Sequence, residues 1–281
     1  MSAVPVPPNV QAVVAGALAE DVGSGDLTAG LVPAASRAAA TVIAREACVV
    51  CGIPYFDEVM RQVDPATRVT WHAQEGDLVA PKATLCSIAG MSRSLLTAER
   101  VALNFLQTLS ATATATRRHV AAVAGTRAKV VDTRKTIPGL RLAQKYAVRV
   151  GGGANHRVGL FDGILITENH IMAAGGIAAA LAAARAAAQP GTMIQIEVET
   201  LVQLEKALDA GATLILLDNF TPERMAEAVA VTAGRAELEA SGGINLETIR
   251  GFAETGVDRI SVGTLTKDIR AIDLSMRFLP G

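Results

Sequence analysis

The residues best equipped for chemistry lie between Val130 and Arg157, in VVDTRKTIPGLRLAQKYAVRVGGGANHR. From Arg117 to Arg157 there are ten Lys or Arg residues (117, 118, 127, 129, 134, 135, 141, 145, 149, 157) and one acid, Asp132. The whole chain carries a formal net charge of −1, which leaves −10 for everything outside that window. A solvated helix face is one account of such a block. A pocket for a polyanion is the other, and the turn Gly151-Gly152-Gly153 beside it favours the pocket.

A second set of residues is acidic. Glu197 and Glu199 are two apart in a strand-like run, so they share a face with Gln195. If that face is interior, buried carboxylates need cations or a metal opposite them. Asp218, one apolar run later, is a natural third. Carboxylates close to a phosphate site suit Mg²⁺, a hard ion that takes oxygen ligands. An ion-pair network with Arg134 or Lys135 is the competing account, and it fits Glu197 better than Glu199 or Asp218. Glu237 and Glu239 repeat the spacing, and one of them can face the same site.

Two glycine turns complete the set. Ser241-Gly242-Gly243 and Ser261-Val262-Gly263 close consecutive apolar runs, where the backbone can approach an oxyanion and a following helix adds amide donors. Plain turn glycine is the simpler account, and the repetition on consecutive units favours phosphate. The four histidines form no metal-ligand set, and no Ser-His-Asp or Cys-His arrangement is suggested. Cys48-Val-Val-Cys51 lies in a strand-like run, where residues three apart point to opposite faces, so neither a shared metal nor a disulfide is expected.

The elements that must position these groups follow from periodicity. Apolar runs at Lys129–Asp132, Gly163–Thr167, Met193–Glu199, Thr213–Asp218, Ala236–Ser241 and Arg259–Gly263 alternate with helical segments. Near-continuously apolar strands of this kind predict a parallel sheet covered on its outside, and over this length an α/β barrel. Each run ends in polar residues, at the end where barrels carry their sites. A seventh strand belongs near Val148 or Val158. The preceding residues read as a small α+β unit, and the amphipathic stretch from Ser94 to Arg118 hands the chain onward. The expected division is 1–112 for the first domain, with a tail at 268–281 that can pack with it, and 113–267 for the barrel.

Composition excludes several classes. Trp71, Tyr55, Tyr146 and six Phe are too few for a base-stacking platform, and the charge is near neutral, so no nucleic acid is expected. No stretch reads as a membrane span; Ile171 to Ala188 is interrupted by Gly175-Gly176 and Arg185. The opening MSAVPVPPN lacks the pattern of a signal peptide, and three cysteines suit a reducing cytosol, so a cytoplasmic location is expected.

With DTRKT, PGLR, QKYAV, GGG, NHR, ENHI, IEVET, LLDNF, SGGI and SVGTLTK in order and spacing, the chain resembles the quinolinate phosphoribosyltransferases over nearly its whole length. The resemblance also takes in the EDVGSGDLT and TAERVALNFLQ stretches. It implies a small N-terminal open α/β sandwich followed by a seven-stranded α/β barrel, in a homodimer whose sites are completed by the neighbour's N-terminal domain. It implies the joining of quinolinate to 5-phosphoribosyl pyrophosphate with Mg²⁺, giving nicotinate mononucleotide, carbon dioxide and pyrophosphate. By motif, Arg100 would reach a quinolinate carboxylate across the dimer. Arg134, His156 and Arg157 would line the same dicarboxylate, with Lys135 between the two substrates. Glu199 and Asp218 would serve the ribose hydroxyls and Mg²⁺, and the turns at Ser241-Gly242-Gly243 and Ser261-Val262-Gly263 the 5-phosphate. One residue departs from the family pattern: Thr167 stands where a substrate-contacting lysine is usual, with Lys145 or Arg141 as substitutes. A transferase for another carboxylated ring, and a weakened or silent anion-binding homologue, are the alternatives that remain.

Overall fold

The computed structural model describes residues 4–280; the first three residues of the expected opening segment and the last of the tail lie outside them. In chain order the elements are α1 (Val10–Val22), β1 (Arg37–Ala44), β2 (Cys48–Val49), α2 (Ile53–Val63), β3 (Arg68–Trp71), β4 (Leu78–Val79), β5 (Thr84–Met91) and α3 (Ser92–Ala122). They continue with β6 (Lys129–Val131), α4 (Arg141–Val150), β7 (Gly163–Ile166), α5 (Glu168–Ala174), α6 (Ile177–Ala187), β8 (Met193–Val198) and α7 (Leu201–Asp209). The last are β9 (Leu214–Asp218), α8 (Pro222–Thr232), β10 (Glu237–Ser241), α9 (Ile249–Glu254), β11 (Arg259–Ser261), α10 (Thr264–Lys267) and β12 (Leu274–Phe278).

Two compact units result, one of residues up to 117 with 137–152 and 268 onward, the other of 118–136 with 153–267. Residues 137–152, assigned to the barrel on linear grounds, therefore group with the first unit. In that unit an antiparallel sheet runs in the order β12-β1-β5-β3, and the C-terminal strand pairs Ala40 with Phe278 through Ala44 with Leu274. Tail and N-terminal segment thus share one sheet. Helix α2 buries Tyr55, Phe56, Val59 and Met60, a stripe at helical spacing. Its start is held from outside the helix: the Glu75 carboxylate accepts the N–H groups of Gly52 at 2.7 Å and Ile53 at 3.1 Å. All three cysteines are free and buried, and burial pushes the Cys48 thiol up to about 11 and Cys86 to about 12, which keeps both protonated and inert.

The second unit is a parallel sheet in the order β6-β11-β10-β9-β8-β7. Its strands are buried on both faces, as in Leu214, Ile215, Leu216 and Leu217 of β9. Six ladder strands are the six expected from apolar runs. The seventh stave is neither at Val148, which lies in α4, nor at Val158: it is a single parallel bridge from Ala154 to Val131. Ala154 N donates to Val130 O at 2.8 Å, and Asp132 N to Ala154 O at 3.2 Å. Beyond it, the Arg157 guanidinium donates to Gly163 O of β7 at 3.0 Å. Between these two edges the structure gives a side-chain bond and no ladder. Periodicity could not locate this stave because one bridge leaves no repeating pattern.

Threonine caps start the outer helices just past the strand ends: Thr200 Oγ1 accepts from Gln203 N and Thr221 Oγ1 from Arg224 N. Among the described residues no single helix is long and apolar enough to cross a membrane; α5 and α6 pass only as a pair, bent by 93°. Replacing Glu75 by Ala leaves two helix-start N–H groups and the Tyr146 hydroxyl without their acceptor. Glu75→Ala is expected to cost about 2 kcal/mol, read as a lower denaturation midpoint.

Candidate active site

At the C-terminal ends of the second unit's strands lies a cavity of about 510 Å³. It is lined by Thr133, Arg134, Lys135, His156, Arg157, Leu165, Glu197, Leu216, Asp218, Glu239, Ser241 and Ser261. Seven of the expected site residues meet there: Arg134, Lys135, His156, Arg157, Asp218, Ser241 and Ser261. Arg100, exposed on α3, belongs to the other unit, as do Arg141 and the buried Lys145, the residues expected to substitute for a missing lysine.

The cationic wall is built by short backbone devices. Thr133 Oγ1 accepts Lys135 N at 3.0 Å, and Thr266 Oγ1 donates to Lys135 O at 2.7 Å. The Lys135 side chain passes so close to Gly263 that a Cβ there would lie 3.2 Å from its Cδ. At the foot of the same wall, the fully buried Asp132 accepts His156 N at 2.9 Å and Asn155 Nδ2 at 2.6 Å. Burial, then the neighbouring Arg134 charge, lowers the pKa of Arg157, and Asp162 opposes the shift. Two guanidiniums held close enough to repel call for an anion between them.

Opposite stands an acidic pole. Carboxylate oxygens of Glu197, Glu199 and Asp218 lie within 4.8 Å of one another. Burial, then Asp218, Glu199 and Glu168, raises the Glu197 pKa, and Lys135 partly offsets this. Within this triad, Glu197 lines the cavity while Glu199, on the same face, is exposed just past β8. Of the other carboxylate pair, Glu239 faces the cavity, and Glu237 lies among Arg127, Lys129 and Asp258 at the opposite end of the strands.

The glycine turns differ from each other. Gly242 has φ +104°, and a Cβ there would sit 2.3 Å from Asn219 Oδ1 and 2.9 Å from Asn219 N. No side chain fits, and Asn219 uses the space to donate from Nδ2 to Asp218 at 2.7 Å. No helix follows that turn directly, because α9 begins only at Ile249, so the expected dipole is missing behind Gly242 and Gly243. Ser261-Val262-Gly263 does run straight into α10, a single short turn of helix. Thr167 is turned to its own helix: its Oγ1 lies 2.8 Å from His170 Nδ1, which also accepts Thr167 N at 3.1 Å. Thr133, Leu165 and Leu216 line the cavity and were not singled out by type. Leu216 stands two residues before Asp218 and Leu165 two before Thr167, so strand period was the available signal.

With this geometry in place, comparison with known proteins is decisive. Residues 26–110 match the model of the quinolinate phosphoribosyl transferase N-terminal domain, and residues 112–277 that of the C-terminal domain. The chain belongs to the quinolinate phosphoribosyltransferase family. It is 42% identical to the nicotinate-nucleotide pyrophosphorylase [carboxylating] of Mycobacterium leprae, over 92% of this chain and 94% of that one. To the probable enzyme of that name from Bacillus subtilis it is 40% identical, over 92% and 89% of the two chains. The solved nicotinate-nucleotide pyrophosphorylase of Francisella tularensis superposes with a TM-score of 0.95 at 45% identity, covering 98% of each chain. In this member of the quinolinate phosphoribosyltransferases, therefore, both domains and the α/β fold are those of the family.

The acidic pole has a measurable consequence. The folded Glu197 carboxyl titrates above 4.5, so ionising it costs more in the folded state than in the unfolded one. The cost is absent below that pH and complete once pH exceeds the raised folded value. Glu197→Gln is expected to raise the denaturation midpoint by a few degrees at pH 7 in metal-free buffer, with the gain vanishing below pH 4.5. A gain equal at both pH values would count against like-charge crowding.

Proposed function

We propose that this chain is a decarboxylating quinolinate phosphoribosyltransferase of NAD biosynthesis. It joins quinolinate to 5-phosphoribosyl pyrophosphate and releases nicotinate mononucleotide, carbon dioxide and pyrophosphate. The observation that carries the proposal is the two-pole cavity, with Arg134, Lys135, His156 and Arg157 facing Glu197 and Asp218. Two anionic substrates repel each other, and several cations in one cavity offset that repulsion. Arg134 and Arg157 suit the planar ring carboxylates, which a guanidinium fork binds bidentately. Lys135 stands between the ring and the ribosyl donor. The Ser241 and Ser261 turns receive the 5-phosphate.

The ring nitrogen forms its bond to the anomeric carbon as the bond to pyrophosphate breaks. Positive charge builds on the ribosyl carbon, and Glu197 and Asp218 stabilise it. The bond from ring C2 to its carboxylate then breaks and carbon dioxide leaves. The electron pair remains beside the quaternised nitrogen until a proton takes it up. The positive nitrogen is the electron sink, so no organic cofactor is required. Glu197, Asp218 and the exposed Glu199 fit Mg²⁺: all donors are hard oxygens, and their crowding is what a divalent cation relieves. Bound there, the ion would neutralise the departing pyrophosphate. Arg100 completes the cavity of a neighbouring subunit in a homodimer. A cytoplasmic location accords with three buried free thiols.

Purified protein given both substrates and Mg²⁺ is expected to release carbon dioxide and nicotinate mononucleotide, followed by product chromatography; no product above background defeats the proposal. Arg100→Ala and Lys135→Ala proteins, each inactive, are expected to regain up to about a quarter of the activity when their subunits mix, because one composite site then keeps both residues. No recovery despite proven exchange would place Arg100 outside the partner's site. Although it gives up the contact with His170 at the start of α5, Thr167→Lys is expected to raise kcat/KM for quinolinate up to about tenfold through one added charge-assisted contact. A lower kcat/KM would show that the cap matters more.

A further inference from the structure

We propose that Glu239 is a positioning residue for His156 and Arg157, acting through the side-chain amide of Gln195. Its kinetic consequence rests on the substrate reading above; its structural consequence does not. Gln195 and Glu239 are fully buried in the barrel interior. Glu239 Oε2 lies 3.1 Å from Arg259 Nε and accepts from Gln195 Nε2 at 3.1 Å. A carboxylate facing a guanidinium offers acceptors only. Gln195 must therefore turn its NH₂ toward Glu239 and its carbonyl oxygen toward His156. That oxygen lies 2.6 Å from His156 Nε2, and because it can only accept, Nε2 carries the ring proton.

Nδ1 is then the lone-pair nitrogen, and it accepts the Arg157 backbone N–H at 2.8 Å. A proton on Nδ1 instead would set two donors against each other at that contact. Glu239 Oε1, buried and without a hydrogen-bond partner among the described residues, lies 3.8 Å from His156 Nε2. Its negative charge further favours the proton on that nitrogen. One acceptor-only group in the cavity wall thus sets the amide of Gln195, the tautomer of His156 and the backbone amide of Arg157 in turn. The Arg157 guanidinium, tied to Gly163 O, extends from that backbone into the cationic wall. The chain of contacts explains why a polar row, Gln195, Glu239 and Arg259, occupies the barrel interior at the expense of apolar packing.

Ring tautomers can be read directly in free protein labelled with ¹⁵N-histidine, with His156 assigned by comparison with a His156→Gln protein. At a pH where the imidazole is neutral, wild-type His156 is expected as the Nε2–H form. Glu239→Gln, whose amide can donate as well as accept, is expected to give mixed or reversed tautomers. It should also raise the quinolinate KM roughly tenfold while the KM for phosphoribosyl pyrophosphate stays near wild type. If the unpaired Arg259 prevents folding, Glu239→Gln with Arg259→Met removes the stranded charge. An Nδ1–H ring in wild type overturns the inference, and so does a Glu239→Gln protein with the wild-type tautomer and an unchanged quinolinate KM. Absence of turnover in wild type would defeat the substrate reading alone, since the tautomer is measured without substrate.

Discussion

A single buried carboxylate holds the cationic wall together. Asp132 follows directly on β6, two residues before Arg134, and receives the backbone of His156 and the side chain of Asn155. Those two bonds, with the bridge from Val131 to Ala154, fasten the seventh stave to the sheet. Arg134 and Lys135 leave one side of this joint, and His156 and Arg157 leave the other. Residues more than twenty positions apart thereby become neighbours. A buried, hydrogen-bonded acid is costly to disturb, because removing it strands its donors in a dry interior. The barrel's seam and the cationic wall are the same piece of construction.

That construction stores electrostatic tension in both poles. Burial and then Arg134 depress Arg157, and Asp218 with Glu199 lifts Glu197 beyond what burial does alone. A protein built for stability would interleave these charges as pairs. Here like charges are grouped, with Lys135 as a partial bridge, and the grouping is sustained by packing elsewhere in the strands. Anionic groups at one pole and a cation at the other would relieve both tensions at once.

Much of the fold was legible in the chain. Six apolar runs marked six parallel strands because a strand buried on both faces must be apolar nearly throughout. Polar residues at their ends pointed to the site, and Arg134, Lys135, His156, Arg157 and Asp218 all meet there. What could not be read has specific causes. The seventh stave is one residue wide. Glu197 and Glu199 share a face, so only the depth at which β8 ends separates the lining carboxylate from the exposed one. Thr167 has the parity of an inward residue, but the helix it starts takes its hydroxyl.

By itself, then, the sequence determined the kinds of groups available and the end of the sheet they occupy, since both follow from residue type and period. It also carried the long motifs by which the family was identified. Tertiary structure alone decided which charges share a space. The basic stretch from Arg117 to Arg157 looked continuous, yet residues 137–152 leave for the other unit and take Arg141, Lys145 and Arg149 with them. Glu239, indistinguishable in type and spacing from Glu237, acquired its place beneath His156 only when β10 was laid into register beside β9. The physical reason is the same in each case. Local forces act over a few residues and leave a pattern in the chain, whereas electrostatic neighbourhoods are set by how strands far apart in sequence are placed side by side.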